Sequence, residues 1–326
     1  MLPYFPFEQD VFSMSLGVRA LRPEETLIEV DAPRYADELG LKTSLLTAGH
    51  AERFQGGPET EPLQWETLTV LLPAMARQSP EHFALEVEGP RWTWRNHLLG
   101  TRTEFTPGEA ASLPQAPLDW LGRQVQEDLL LLDGTREGFP LVAGQLCFPS
   151  GWCLGDKLGL PLLAVHDPVP RFNAKLGAST LKLMDGLKPG RPVTRCNWAF
   201  SVTERLDLEP HTRPEWQHLF DGITPDNAGE RCFLRLERQT LTRLPRTRAI
   251  LFTIHTYVAP VATEVAAPGR RERLARVLRS VPEDTAAYKR VTPILAPLLA
   301  YLEAAEDGAP RAVSGVGNEK SHLPRG

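Results

Sequence analysis

Two extended apolar segments joined by a short connection constrain the fold of this chain more than any other feature. Residues 232–241 and 249–257 are joined through Leu-Pro-Arg-Thr-Arg at positions 244–248. A connection of this length with proline at its bend is typical of a β-hairpin. The two segments are therefore predicted to be neighbouring antiparallel strands.

The other segments with regular apolar spacing predict helices at both ends of the chain and mostly strands between them. Helical spacing is found at residues 35–48, 63–78, 118–132, 174–187, 272–280 and 286–303. Short apolar runs at 141–148 and 160–165 are typical of buried strands, and residues 83–95 predict a second hairpin around Gly89-Pro90. Because strands and helices do not alternate as in a doubly wound sheet, the predicted fold class is α+β with an antiparallel sheet core.

This order of segments predicts four regions in the 326-residue chain. They are an N-terminal arm and helical layer at 1–80, a core at 81–265, C-terminal helices at 266–307, and a polar, mobile tail at 308–326.

Charge, apolar stretches and cysteine spacing exclude several classes of protein. A net charge of −5 argues against a general nucleic-acid binder, and no stretch approaches the roughly 20 apolar residues that cross a bilayer. The cysteines lack the spacing of zinc or iron–sulfur ligands; they are Cys147, Cys153, Cys196 and Cys232. We expect a cytoplasmic protein that binds neither nucleic acid nor membranes.

Signatures of common enzyme classes are also absent from the sequence. It contains no HExxH, no GxSxG, no GxGxxG between a strand and a helix, and no GxxxxGK followed by Ser or Thr. The usual hydrolase and nucleotide-binding interpretations therefore lose their support.

His166 is the leading candidate for a functional residue. It lies between the apolar run at 160–165, predicted as a strand, and a turn stiffened by Pro168 and Pro170. A histidine held in this way can offer one ring nitrogen to a metal, although a hydrogen-bonded structural role is the alternative. His255, inside a predicted strand, is the second candidate ligand, with burial and a hydrogen bond as its alternative.

Polar residues on the strand at 232–241 form a second candidate group. Strand alternation places Arg235 and Glu237 on one face and Arg238 on the other. The alternative is a solvated outer face with a cross-strand salt bridge worth a few tenths of a kcal/mol. Arg195 could bind an anion or simply pack, and Trp152 could line a pocket or fill the core.

Several motifs, taken in order and spacing, resemble the heme-dependent oxidative N-demethylase family over residues 35–301. They are VQEDL at 125–129, FPSGW at 148–152, KLG at 157–159, HDPVP at 166–170, RCNW at 195–198, LRLERQTL at 234–241 and RLP at 243–245. The ERQTL-x-RLP stretch is the most specific of them.

The resemblance implies a heme b protein whose core, at 81–265, has a PAS-like α+β fold with N- and C-terminal helical additions. It implies a monooxygenase that uses O2 to remove a methyl group from a small secondary amine such as dimethylamine, releasing formaldehyde. It also implies that a partner reductase or ferredoxin-type donor supplies electrons from NAD(P)H through FMN and a 2Fe-2S centre.

Carried onto this sequence, the resemblance implies that His166 is the proximal ligand of the heme iron. Arg195, Trp152 and His255 become candidates for heme binding. The catalytic candidates, which would bind propionates, contact oxygen or position the amine, are Arg235, Glu237 and Arg238. Two alternatives stay open: a non-catalytic PAS-like heme or gas sensor, and a heme-free small-molecule-binding protein.

Overall fold

The structure is a computed structural model that describes residues 1–304, so the predicted tail at 308–326 lies outside the described residues. These residues form the strands β1 (Arg19–Ala20), β2 (Phe54–Gly56), β3 (Phe83–Glu88), β4 (Arg91–Asn96), β5 (Thr101–Phe105), β6 (Asp128–Leu132), β7 (Leu141–Gln145), β8 (Val193–Ser201), β9 (Phe233–Arg243) and β10 (Ile250–Pro260). The helices are α1 (Ala32–Ala48), α2 (His50–Arg53), α3 (Glu61–Gln78), α4 (Pro117–Gly122), α5 (Leu162–Val165), α6 (Phe172–Gly186), α7 (Arg213–Trp216), α8 (Ala228–Arg231), α9 (Val261–Glu264), α10 (Arg270–Ser280), α11 (Glu283–Tyr288) and α12 (Leu295–Ala304). In the part of the chain covered by the structure, no helix is long and apolar enough to span a bilayer.

A seven-stranded antiparallel sheet in the order β1-β8-β9-β10-β6-β7-β2 forms the centre of the fold. Its longest pair is the β9–β10 hairpin, in which Arg243 pairs with Ile250 and Phe233 pairs with Pro260. Arg248 closes the turn with a positive φ of 66°. The predicted hairpin and the predicted α+β fold class are both confirmed.

A second, three-stranded sheet in the order β3-β4-β5 contains the hairpin predicted for residues 83–95. It packs with α1 and α3 against one end of the large sheet, where Trp65, Leu68, Trp94 and Leu131 share one apolar core. The predicted helices at 35–48, 63–78, 174–187 and 272–280 are confirmed as α1, α3, α6 and α10.

The helix predicted for residues 118–132 is wrong, because only its first third is helical. Helix α4 ends at Gly122, where a Cβ atom would collide with the side chain of Gln145. The leucines that follow form β6, a buried strand between β10 and β7. A run of leucines buried on both faces of a central strand has no polar face, so periodicity alone does not separate it from a helix.

The strand predicted for residues 160–165 is also wrong. Pro161 is the N-cap of a helical turn, α5, whose Val165 amide donates to the Pro161 carbonyl. Leu162 then packs onto the face of the large sheet beside Leu241 and Ile250 instead of joining its edge. The helix predicted for 286–303 is two helices, α11 and α12, interrupted where Arg290 takes a positive φ of 60°.

The two faces of the large sheet carry different residues and different covers. The Glu237 face carries Arg195, Asn197, Glu237, Gln239 and Ile254, as the pairing of β8, β9 and β10 requires. The segment from Phe139 to Leu187, with α5 and α6, covers part of it. The Arg238 face carries Cys196, Arg238 and His255 and is covered by the N-terminal segment and by helices from both ends of the chain.

Candidate functional site

His166 directly follows α5 and is held by two local contacts. Its Nδ1 atom lies 2.8 Å from the Leu162 carbonyl oxygen, and its ring stacks on Phe172 with centroids 4.2 Å apart. Because a carbonyl can only accept, Nδ1 must carry the hydrogen. Burial lowers the pKa of His166 below its ordinary value and outweighs the hydrogen bond to Leu162, which raises it. The ring is therefore neutral near pH 7, with a lone pair on Nε2.

The position of α5 directs His166 to the Glu237 face of the sheet. Leu162 belongs to the apolar cluster on that face, and the positive charges of Arg195 and Lys157 are close enough to lower the His166 pKa further. Trp152 is half-buried and packs against Leu130, Leu154 and Ile254 on the same face. Five of the predicted residues therefore lie on or beside the Glu237 face: His166, Trp152, Arg195, Arg235 and Glu237.

Arg195 carries a guanidinium group with an unsatisfied buried N–H donor. Its Nε atom is buried without a hydrogen-bond partner among residues 1–304. Burial lowers the pKa of Arg195, and the nearby Glu237 carboxylate opposes that shift. A buried N–H donor without an acceptor is costly, so an anionic group placed beside Arg195 would be stabilised.

Glu237 is the carboxylate at the centre of a hydrogen-bonded group on this face. Its Oε2 atom accepts hydrogen bonds from Asn197 Nδ2 at 3.3 Å and from Gln239 Nε2 at 2.9 Å. Arg235 Nε lies 3.9 Å from its Oε1 atom. These contacts fix the orientation of the carboxylate, whose side chain is 12% exposed.

Arg235 is 1% exposed and links the sheet to the loop that precedes Trp152. Its Nη2 atom donates to the Phe148 carbonyl at 2.6 Å, while Nε has no hydrogen-bond partner among the described residues. Burial lowers the pKa of Arg235 to about 10, so the group stays positively charged near pH 7. The solvated outer face considered for Arg235 and Glu237 is therefore wrong.

Arg238 and His255 lie on the opposite face of the sheet. Arg238 donates to the Thr26 carbonyl at 2.6 Å and lies 3.1 Å from Glu29, while His255 Nδ1 lies 3.1 Å from Glu127 Oε1. Both residues are 1% exposed. Burial lowers the pKa of His255, but the Glu127 carboxylate raises it more, and the net shift is upward. The structure therefore separates these two predicted site residues from the His166 group.

Two further residues near Glu237 were not singled out from the sequence. Gln239 lies two positions beyond Glu237, so the same strand alternation could have identified it. Lys289, from the end of α11, donates to the Trp198 carbonyl at 2.6 Å and to Asn197 Oδ1 at 3.3 Å. Its position depends on packing between segments about 90 residues apart in the chain, and no sequence signal indicates it.

Comparison with known families gives one match that covers most of the chain. A family model described as "Haem-dependent oxidative N-demethylase, alpha subunit-like" matches residues 17–299. The matched range contains every strand of the large sheet, together with α5, His166 and Lys289.

Proposed function

Because the chain belongs to the heme-dependent oxidative N-demethylase alpha-subunit-like family, we propose that it oxidatively removes a methyl group from a small methylated secondary amine such as dimethylamine. The observation that carries this proposal is the state of His166. Its Nδ1–H is committed to the Leu162 carbonyl, so its Nε2 lone pair is free to bind iron.

The surroundings of His166 fit the proximal ligand of a heme b group. Histidine ligands commonly donate their second ring N–H to a backbone carbonyl, which fixes the tautomer and orients the ring. Here Leu162 provides that carbonyl and Phe172 stacks on the ring, so the ligand is oriented before any metal binds. The lowered pKa favours the neutral imidazole, which is the form that binds a metal.

Arg195 fits the second requirement of a heme site, a cation for a propionate. Its buried, unpartnered Nε atom lies on the face that α5 and His166 adjoin. A propionate would supply the missing acceptor and compensate the charge. Trp152, with Leu130 and Ile254, would then form an apolar wall that keeps bulk water away from the heme.

When bound, heme supplies the oxygen chemistry that oxidises the N-methyl group and releases formaldehyde. The chain would contribute substrate positioning through Glu237, the carboxylate on the same face. Asn197 and Gln239 hold its Oε2 atom, so the carboxylate is oriented before an amine binds. A protonated secondary amine is a cation with N–H donors and would pair with Glu237.

The electrons would come from a separate reductase that carries FMN and a 2Fe-2S centre and uses NAD(P)H. The spacing of the cysteines supports that division. Iron–sulfur clusters are held by cysteines at characteristic spacings, which are not found among Cys147, Cys153, Cys196 and Cys232.

The test combines a spectrum with a product assay. We expect protein expressed with heme precursor to show a Soret band that shifts on reduction under carbon monoxide. We also expect it to release formaldehyde from dimethylamine when a reductase is supplied. A missing Soret band would leave a heme-free binding protein, and a normal band without formaldehyde would indicate a heme sensor.

A further inference from the structure

Lys289 is held at the outer edge of β8 by three contacts. Its Nζ atom donates to the Trp198 carbonyl at 2.6 Å and to Asn197 Oδ1 at 3.3 Å, and it lies 4.2 Å from the centroid of the Trp198 ring. The Lys289 carbonyl accepts a hydrogen bond from the Phe200 amide at 3.3 Å, which ties this segment to the strand. The ammonium group is thus fixed in place rather than free in solvent.

One side-chain amide connects Lys289 to the proposed substrate carboxylate. Asn197 accepts from Lys289 through Oδ1 and donates to Glu237 through Nδ2, so the orientation of its amide is fixed from both sides. Two charged groups shift the pKa of Lys289: Arg195 on β8 lowers it and Glu237 on β9 raises it. The Glu237 carboxylate also raises the pKa of Tyr288, the last residue of α11, which directly precedes Lys289.

Two permanently charged arginines, Arg195 and Arg235, lie close enough to Glu237 to interact with its carboxylate. Two aspartates also act on Arg235, whereas Glu237 is the carboxylate that acts on Arg195. A charged Lys289 adds a third cation at the far end of the Asn197 amide. A neutral Lys289 still has an N–H group for each of its two acceptors, but it loses the charge and with it the attraction to the Trp198 ring.

We propose that Lys289 determines when Glu237 can bind a protonated amine, because its ammonium form repels a cationic substrate and its neutral form does not. Lys289 is then a specificity-determining residue for a cationic amine. This inference rests on the proposed function, in which Glu237 binds the substrate amine.

The direction of the pH effect follows from the buried state of Lys289. Burial lowers its pKa to about 7, with Arg195 adding to the shift and Glu237 opposing it. An alkylamine such as dimethylamine stays protonated near this pH, as an exposed lysine does. Amine binding should therefore strengthen as the pH rises through 7, because the protein loses a positive charge while the ligand keeps its own.

The test is calorimetric titration of dimethylammonium chloride into heme-loaded protein at about pH 6 and about pH 8. We expect about tenfold tighter binding at the higher pH in the wild type. Lys289→Met should bind at both pH values as tightly as the wild type does at the higher one, and Lys289→Arg should bind weakly at both. The matched control is Lys182→Met, an exposed lysine on α6, which should keep the wild-type pH dependence.

Three results would overturn the proposal: equal wild-type affinity at both pH values, pH dependence that persists in Lys289→Arg, or no amine binding by the wild type. The arginine variant keeps both charge and donors, so it decides the question even where Lys289→Met does not fold. Formaldehyde production by the wild type is measured separately. If the wild type produces formaldehyde but binds the amine equally at both pH values, only the role of Lys289 is refuted. If the wild type shows neither a Soret band nor formaldehyde production, the proposed function is refuted.

Discussion

Glu237 and Arg238 are consecutive residues of β9, and their side chains leave opposite faces of the large sheet. Glu237 accepts hydrogen bonds from Asn197 and Gln239, whereas Arg238 pairs with Glu29 and donates to the Thr26 carbonyl. One face therefore carries the proposed heme and amine site, and the other carries a buried ion-pair network. Substitutions at the two positions should have different consequences.

We expect His166→Ala to abolish normal heme ligation while the apoprotein stays folded. The substitution removes the imidazole that Leu162 orients and leaves no second histidine on that face among the described strands. Absorption spectroscopy of the purified variant measures the effect. Added imidazole should restore part of the Soret band, and a variant with a full complement of normally ligated heme would refute the ligand assignment.

Arg195→Leu should weaken heme binding by about tenfold without destabilising the apoprotein. The Arg195 Nε atom has no hydrogen-bond partner among residues 1–304, and burial already penalises its charge. Heme titration and urea unfolding of the apoprotein measure the two effects. A loss of more than about 2 kcal/mol in the free energy of unfolding would indicate a structural role instead.

Glu237→Gln should raise the KM for the amine by about tenfold and change kcat much less. The neutral amide keeps the shape of the side chain and removes the charge that would pair with the protonated amine. Formaldehyde production at varied amine concentration separates the two constants. Equal losses in kcat and kcat/KM, with KM unchanged, would place Glu237 in the oxidation step instead of in binding.

Arg238→Met should lower the free energy of unfolding by about 3 kcal/mol, because it leaves Glu29 without its cation in a mostly buried position. Heme content and KM of the folded fraction should match those of the wild type, since Arg238 lies on the other face. Urea unfolding and heme titration test these expectations. A selective loss of heme would show that the two faces are not independent.

The His255–Glu127 pair should make stability depend on pH. The folded pKa of His255 is raised, so its contribution is fully present below its ordinary value of 6.5 and is lost as the pH rises through the folded value. The folded pKa of Glu127 is lowered, so its contribution is lost only in acid. The stability difference between wild type and His255→Gln should therefore be largest at about pH 5 to 6 and shrink at higher pH, as measured by urea unfolding.

Parts of the fold could be predicted where the signal is local. The β9–β10 hairpin follows from two apolar strands and a proline-containing turn. The family motifs predicted roles for His166 and for the polar residues of β9, and those roles stay predictions. Residues 118–132 and 160–165 were misassigned because short apolar runs without a polar face fit both a buried strand and a helical turn. Their neighbours in space decided between the two.

Strand alternation by itself determined that Arg235 and Glu237 share one face of β9 and that Arg238 occupies the other, since side-chain direction in a strand is a property of adjacent residues. Only the tertiary structure decided which face carries His166. That choice depends on α5 packing against Leu241 and Ile250, residues far from it in sequence. Lys289 reaches Asn197 across 92 positions for the same reason: long-range packing sets the location of both side chains, and local sequence does not encode it.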